Sequence, residues 1–407
     1  MANWDFIDYF ILLGTVHLTW LMLQMLGGLL APFFQKKEKP KLLVAEPPDA
    51  SVVLLIVPVC NENPNILEST LQKCQVLSDV DLVVLENSSN LIIKASLEQV
   101  CEKLGVRCYS IENLGNKARA LNHYLKNHTV TAEFVSVLDV DQEPEPEFLE
   151  TILPHFQGQE DLGLVQTPQA FRNEKKSWLT FVYAAMQAIF FRGVCVARGR
   201  IGFTPCLGTN FVMRLSALRA VGGFDENSQT EDVATSLKVA LAGYRTQYLN
   251  QVLVYGLVPN RFRDILKQMK RYTIGSNQIL GKIFGRILWQ PKHWSKVRNW
   301  LTIGHYLHYS STLLVGSFIF YLSFFSDHVL VEVNLVIIGI FLLIMLVWLP
   351  FYKMLTGLLF FTIILPFTLI FNLDITAYNR KFAVTGKQID DLEETEGLVL
   401  KKIKKHH

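Results

Sequence analysis

The sequence predicts an α/β domain built on a mostly parallel sheet and held to a membrane by apolar helices on either side of it. Three observations carry this. Apolar runs as long as a bilayer span stand at 9–34 and again beyond residue 300. Between them, short β-branched runs alternate with helical patterns over 51–290, the pattern of strands joined by crossover helices. The 407 residues are 50% hydrophobic and only 18% charged, too apolar for two soluble domains.

The first run, 9–34, exceeds the about 20 residues a helix needs to cross the hydrocarbon core. It is followed by Gln35-Lys36-Lys37-Glu38-Lys39-Pro40-Lys41. By the positive-inside rule this basic stretch places the next domain in the cytosol and the N-terminus outside it. With no basic region before the run and no small-residue cleavage site, residues 1–40 read as a retained anchor. The cytosolic domain, 41–291, shows strand-like runs at 52–57, 82–85 and 134–138, and helical patterns at 65–74 and 117–126.

Residues 292–373 turn apolar in three blocks, 302–325, 333–349 and 353–373, expected to be transmembrane and interfacial helices. The tail, 374–407, is polar and carries Arg380, Lys381 and the run Lys401-Lys402-Ile403-Lys404-Lys405, which favours a cytosolic end. One amino-terminal crossing and a cytosolic tail require an even number of later crossings. One of the three blocks is therefore expected to lie in the interface or to re-enter, and the third, with Gly357 and Pro366 inside it, is the choice.

The formal charge of +3 gives no polybasic surface and argues against nucleic acid as a partner. Six cysteines (Cys60, Cys74, Cys101, Cys108, Cys195, Cys206) form no CxxC pair and have no zinc-ligand spacing, and they read as reduced thiols.

Leu138-Asp139-Val140-Asp141 ends an apolar strand, and alternation along an extended segment would point both carboxylates the same way. A Mg²⁺ or Mn²⁺ ion on a pyrophosphate takes such hard oxygen donors, leaving its other positions to phosphate and water. Alone, an Asp-x-Asp is as often a solvated strand end. Thr230-Glu231-Asp232 opens a helix with apolar residues at Val233, Leu237 and Leu241. The plain reading is helix capping, and the functional one makes Asp232, with Glu231 beside it, a general base for an attacking hydroxyl. In Gln268-Met269-Lys270-Arg271-Tyr272, Gln268, Arg271 and Tyr272 share one helical face, offering a guanidinium for a diphosphate and a ring for a sugar. An amphipathic surface helix would look the same.

Taken together and in order, these motifs resemble the processive members of glycosyltransferase family 2, in particular the cellulose synthases and their relatives. The resemblance runs through Val57-Pro58-Val59-Cys60-Asn61-Glu62, Lys117-Ala118-Arg119-Ala120-Leu121-Asn122 and the Asp-x-Asp. It continues through Val165-Gln166-Thr167-Pro168-Gln169, Gly208-Thr209-Asn210, Thr230-Glu231-Asp232, Gly256-Leu257-Val258-Pro259 and the Gln-x-x-Arg-Tyr segment. Phe382-Ala383-Val384-Thr385-Gly386-Lys387 resembles the gating loop of cellulose synthases.

The resemblance implies a GT-A (Rossmann-like) catalytic domain that binds a UDP-sugar with Mg²⁺ or Mn²⁺ on Asp141 and Asp139. Asp232 would be the base, beside Glu231. Pro58, Asn61, Glu62, Glu86, Lys117, Asp139, Gln268 and Arg271 would line the donor site, with Thr385 and Lys387 in a lid. Gly208, Thr209, Asn210 and Tyr272 would meet the acceptor. Two departures stand out: Leu85-Glu86-Asn87-Ser88 replaces the family's Asp pair, and Tyr272 replaces its Trp.

The expected activity is therefore inverting transfer of a hexose from a UDP-sugar to a growing β-linked polysaccharide. Transfer to a lipid acceptor, a diacylglycerol or ceramide, is the alternative. A third reading is a membrane protein with no catalysis of its own, serving as a subunit. Membrane lipid, a glycan or lipid acceptor, and a homo-oligomer or export partner are the partners implied.

Overall fold

The computed structural model describes residues 53–111, 114–200 and 204–288, with isolated helical positions at 19, 23 and 26 and between 336 and 367. The anchor and its basic run, the block 302–325, most of the two later blocks, and the tail with Thr385 and Lys387 lie outside the described residues.

The chain begins its regular structure with β1 (Val53–Val59), α1 (Pro64–Cys74), β2 (Val80–Glu86), α2 (Leu91–Leu104), β3 (Arg107–Ser110), α3 (Lys117–Asn127) and β4 (Phe134–Val137). Each of these helices starts where an asparagine side chain accepts backbone N–H groups that the first turn leaves unpaired. Asn63 caps α1, with Pro64 set for the first turn, Asn90 caps α2 and Asn116 caps α3. Gly105, at φ 64°, ends α2 in the left-handed conformation.

After β4 come β5 (Glu143–Pro144), α4 (Phe148–Ile152), β6 (Leu162–Gln166) and β7 (Ala170–Phe171). A long helical run follows, consisting of α5 (Trp178–Ala188), a wider π turn over Ile189–Val194 and α6 (Cys195–Arg200). The order closes with β8 (Phe211–Arg214), α7 (Leu215–Ala220), α8 (Glu231–Leu241), β9 (Arg245–Tyr248), β10 (Val254–Gly256) and α9 (Phe262–Leu288).

Seven strands form one sheet in the order β3-β2-β1-β4-β8-β6-β9. The first four are parallel, as the alternation of strands and helices predicts. β8 runs antiparallel between β4 and β6, a reversal that the sequence pattern does not announce. A small sheet, β5-β10-β7, stands beside the large one.

β1 shows why the sheet is central. Leu55, Val57 and Val59 face a core with Leu67, Leu71 and Leu97 of α1 and α2, while Leu54 and Ile56 face a core with Leu121 and Tyr124 of α3. Helices cover both faces, so a continuous apolar run is favoured over strict alternation. Truncating a fully buried side chain such as Leu55 to alanine would cost about 2–5 kcal/mol.

Among the described residues one helical run, Trp178–Arg200, is long and apolar enough to cross a membrane, and half of that stretch is buried inside the protein. α5 packs on α9: Leu179, Tyr183 and Ala184 meet Ile265 and Met269, and the same cluster takes in Phe360 and Ile364. Lys353 pairs with Glu174, and a side chain at Gly357 would collide with the backbone of Ala185. The third apolar block thus rests on the α/β domain through Lys353, Gly357, Phe360 and Ile364, whereas Val336 and Leu343 of the second block are exposed.

Candidate active site

The parallel strands β1, β2 and β4 end on the same edge of the sheet, where α/β proteins bind ligands. The Asp-x-Asp lies just beyond the last pairing of β4. Leu138 N–H still bonds to Ile56 O (3.0 Å), and then Gln142 N–H closes a turn on Asp139 O (2.9 Å). The Asp-x-Asp is thus a turn, and not the extended strand end that the sequence pattern predicts. Asp139 reaches Lys117, whose Nζ lies 2.6 Å from its Oδ1. Asp141 is almost fully buried, and its Oδ2 accepts from Leu257 N–H at 3.0 Å.

Lys117 owes its position to the Asn116 cap, which starts α3 at that residue. Its Nζ also donates to Gly208 O at 2.7 Å. Gly208 has φ +83°, a conformation that glycine adopts without strain. Beyond it, Thr209 Oγ1 accepts from Asp139 N–H (3.1 Å) and donates to Asn210 Oδ1 (2.9 Å).

Glu231 and Asp232 form the first turn of α8, where the helix dipole favours negative charge. Asp232 Oδ1 accepts from Val233 N–H at 2.8 Å. Burial, and then the neighbouring Glu231 carboxylate, push the Asp232 carboxyl up to about 7, against the pull of Val233 N–H, Arg271 and Lys117. Burial also raises Glu231, opposed by Lys117 and Arg271. Burial disfavours the charge on Lys117, but Asp139, Glu231 and Asp232 outweigh it and hold its pKa above the usual lysine value. Arg271 is held up in the same way by Tyr272, Glu231, Asp232 and Asp139. Carboxylates and cations with displaced pKa values gathered in one cluster are the usual mark of a functional site.

α9 begins at Phe262, and the Gln-x-x-Arg-Tyr segment lies inside it, past the first turn. Gly275 lets α9 approach α8: a β-carbon there would stand 2.5 Å from Thr230 Oγ1. This contact brings Arg271 to the Glu231-Asp232 pair. Gln268 turns the other way and accepts from the buried Tyr183 hydroxyl, which in turn accepts from Gln187 Nε2 at 2.7 Å. Tyr272 packs against the α5–α9 apolar cluster, with the Arg271 guanidinium 5.6 Å from its ring centre.

The ends of β1 and β2 are tied together. Asn61, at φ 54°, donates its N–H to Ser88 Oγ (2.7 Å) and accepts from Ser89 and Asn90 N–H through Oδ1. Pro58 pairs with Leu85 in the register of these strands, and Glu62 lies close enough to Cys60 to help raise its thiol pKa, after burial. Glu86 is fully buried, with its carboxylate held by Ser88 N–H (2.7 Å), Ser110 Oγ (3.3 Å) and Lys94 Nζ (3.5 Å).

One residue that no motif singles out is Arg172. Its Nη1 donates to Asp141 O and Tyr255 O, both at 3.0 Å, and its Nη2 pairs with Glu143 at 3.2 Å. It clamps the Asp141 turn to the small sheet. A lone arginine beyond the Gln-Thr-Pro-Gln motif gives no sequence signal for this.

Among the described residues no three His, Cys, Asp or Glu side chains gather as a metal cage. Asp139 and Asp141 nonetheless offer hard carboxylate oxygens, the donor type that Mg²⁺ and Mn²⁺ take.

The chain is 37% identical over 184 residues to a UDP-forming cellulose synthase catalytic subunit of Dictyostelium discoideum, covering 43% of this chain and 17% of that protein. It is 27% identical over 248 residues to "Probable glucomannan 4-beta-mannosyltransferase 11" of Arabidopsis thaliana, covering 58% and 56% of the two chains. Its match thus spans little more than half of one relative and a sixth of the other. A mannosyltransferase from Pyrobaculum calidifontis, solved with GDP-Man and Mn²⁺, shares the fold at 17% identity and a TM-score of 0.60, over 90% of this chain and all of that one. The model of glycosyl transferase family group 2 matches residues 134–369, more than half of the sequence, and the chain belongs to that family.

Proposed function

We propose that this protein is a membrane-embedded, inverting hexosyltransferase that moves a sugar from a UDP-sugar to a growing β-linked polysaccharide. The observation that carries the proposal is the convergence of Lys117, Asp139, Glu231, Asp232 and Arg271, drawn from four separate elements, into one electrostatically linked cluster.

In this reading Asp139 and Asp141 would hold a divalent cation, which would supply positive charge to the diphosphate leaving group. Lys117 and Arg271 face the same diphosphate. Asp232 takes the proton from the acceptor hydroxyl as that oxygen attacks the anomeric carbon from the side opposite the leaving group, so the configuration inverts in one displacement. Burial suits Asp232 to this role, because a base with a pKa near 7 is both partly ionised and strong enough to accept the proton at neutral pH. Pro58, Asn61 and Glu62 edge the donor pocket and Gly208 to Asn210 the acceptor side. Glu86 shapes the pocket floor through Ser88 and Asn61.

The likeness to a cellulose synthase favours a polysaccharide product. A second reading rests on the third apolar block, whose Phe360 and Ile364 pack into the same cluster as Tyr272 and so bring a membrane-type segment to the site's edge, where a lipid acceptor would enter. The site would then add a single sugar to a membrane lipid.

Detergent-purified protein given a panel of radiolabelled UDP-sugars separates these outcomes. Polymer retained at the chromatographic origin supports the first reading. Label in the organic phase supports the second. Free sugar alone, with any UDP-sugar, removes both.

A further inference from the structure

Gln166 is the last residue of β6 and is fully buried. Its Nε2 faces three carbonyl oxygens, Thr167 O (2.9 Å), Thr209 O (2.9 Å) and Asn210 O (3.1 Å), and its Oε1 accepts from Leu207 N–H (2.9 Å). One side chain thus grips the segment 207–210 at both ends. Gly208 and Asn210 both have positive φ, so no regular hydrogen-bond ladder sets the segment's course. Thr167, whose N–H (3.1 Å) and hydroxyl (3.0 Å) both donate to Asn210 O, and the Gln166 side chain do so.

The same segment touches the candidate site in three ways. Gly208 O accepts from Lys117 Nζ, Thr209 Oγ1 accepts from Asp139 N–H, and Gly208 lies against Asp232 Oδ2. A slip of this segment would therefore unseat Asp232, while Lys117 keeps its direct pairing with Asp139.

We propose that Gln166 is a positioning residue for glycosyl transfer: it fixes the register of 207–210 and so keeps Gly208 wedged between the Lys117–Asp139 pair and Asp232. This rests on the glycosyltransferase reading above. Because the segment meets Asp232 directly, its displacement bears more on the transfer step than on nucleotide affinity.

Two variants test this in the full chain. Gln166→Glu replaces the donor with an oxygen facing three carbonyls, and Gln166→Met keeps the volume while removing every hydrogen bond. The first readout needs no activity. Cys206, fully buried and next to Leu207, is expected to react with N-ethylmaleimide at least tenfold faster in both variants, while the buried Cys74 and Cys195 stay protected. The second is turnover with the preferred UDP-sugar: kcat should fall tenfold or more, with UDP affinity by calorimetry within about threefold of wild type.

Cys206 as protected as in wild type overturns the proposal, as does an exposed Cys206 with unchanged kcat. Labelling of all three cysteines together, in both variants, means general unfolding and also overturns it. If Cys206 alone opens but wild type transfers no sugar, the hold on the segment stands and the glycosyltransferase reading is what fails.

Discussion

Gly208 and Asp232 are in such close apposition that a β-carbon on the glycine would stand 2.7 Å from the carboxylate's Oδ2. The left-handed backbone at Gly208 compounds the restriction. Gly208→Ala is therefore expected to strain the turn by about 1–3 kcal/mol and to displace the base. Transfer should fall by about 100-fold or more while the thermal midpoint drops only a few degrees. A thermal melt beside a UDP-release assay checks both numbers, and an active alanine variant would show that the contact is dispensable.

The raised pKa of Asp232 gives turnover a pH signature. If the base must be ionised, kcat rises by about fivefold from pH 6 to pH 7 and by less than about twofold from pH 7 to pH 8. Asp232→Asn should abolish transfer while leaving UDP affinity within a few fold, because the group acts on the acceptor. A kcat profile flat from pH 5 to pH 8 would remove Asp232 from the role.

The same shift bears on stability. A carboxyl whose pKa is raised on folding binds its proton more tightly in the native state, so its contribution is full below the ordinary aspartate range and is lost as pH rises through about 7. Asp232→Asn should melt above wild type at pH 8, and the gap should close near pH 4. Differential scanning calorimetry at the two pH values measures it.

Asp141 is tied to Leu257 N–H and clamped by Arg172 through its own carbonyl. Asp141→Ala is expected to make UDP binding independent of Mn²⁺. Calorimetric titrations with and without EDTA decide the matter, and an undiminished Mn²⁺ requirement would count against the assigned ligand.

α9 reaches the site only because residue 275 has no side chain, since a β-carbon would lie within 2.9 Å of three Thr230 atoms. Gly275→Val should cost about 1–3 kcal/mol through overpacking. It should reduce kcat more than Gly275→Ala does, as Arg271 is pushed away from Glu231 and Asp232. Denaturant midpoints and turnover for the two variants test the ordering.

Much of the fold is legible in the order of residues. The runs at 52–57, 82–85 and 134–138 are β1, β2 and β4, and the patterns at 65–74 and 117–126 are α1 and α3, because apolar periodicity and asparagine caps act over a few residues. The identity of the acidic and basic clusters is equally visible. Their orientation is not. The expected extended strand end is a turn instead, because pairing of β4 stops before Asp139. The destinations of Glu86, buried among Ser88, Ser110 and Lys94, and of Gln268, drawn to Tyr183, depend on neighbours the sequence does not place beside them.

Short-range chemistry along the chain settles which strands and helices form, where they are capped, and which chemical groups are on offer. Which of those groups meet is a matter of long-range packing. The contacts that build the candidate site join residues far apart in the chain: Asp139 to Thr209 across 70 positions, Lys117 to Gly208 across 91, Asp141 to Leu257 across 116. Local propensity carries no information over such separations. It is the order of strands in the sheet, with β8 reversed beside β4, that brings those ends to one edge.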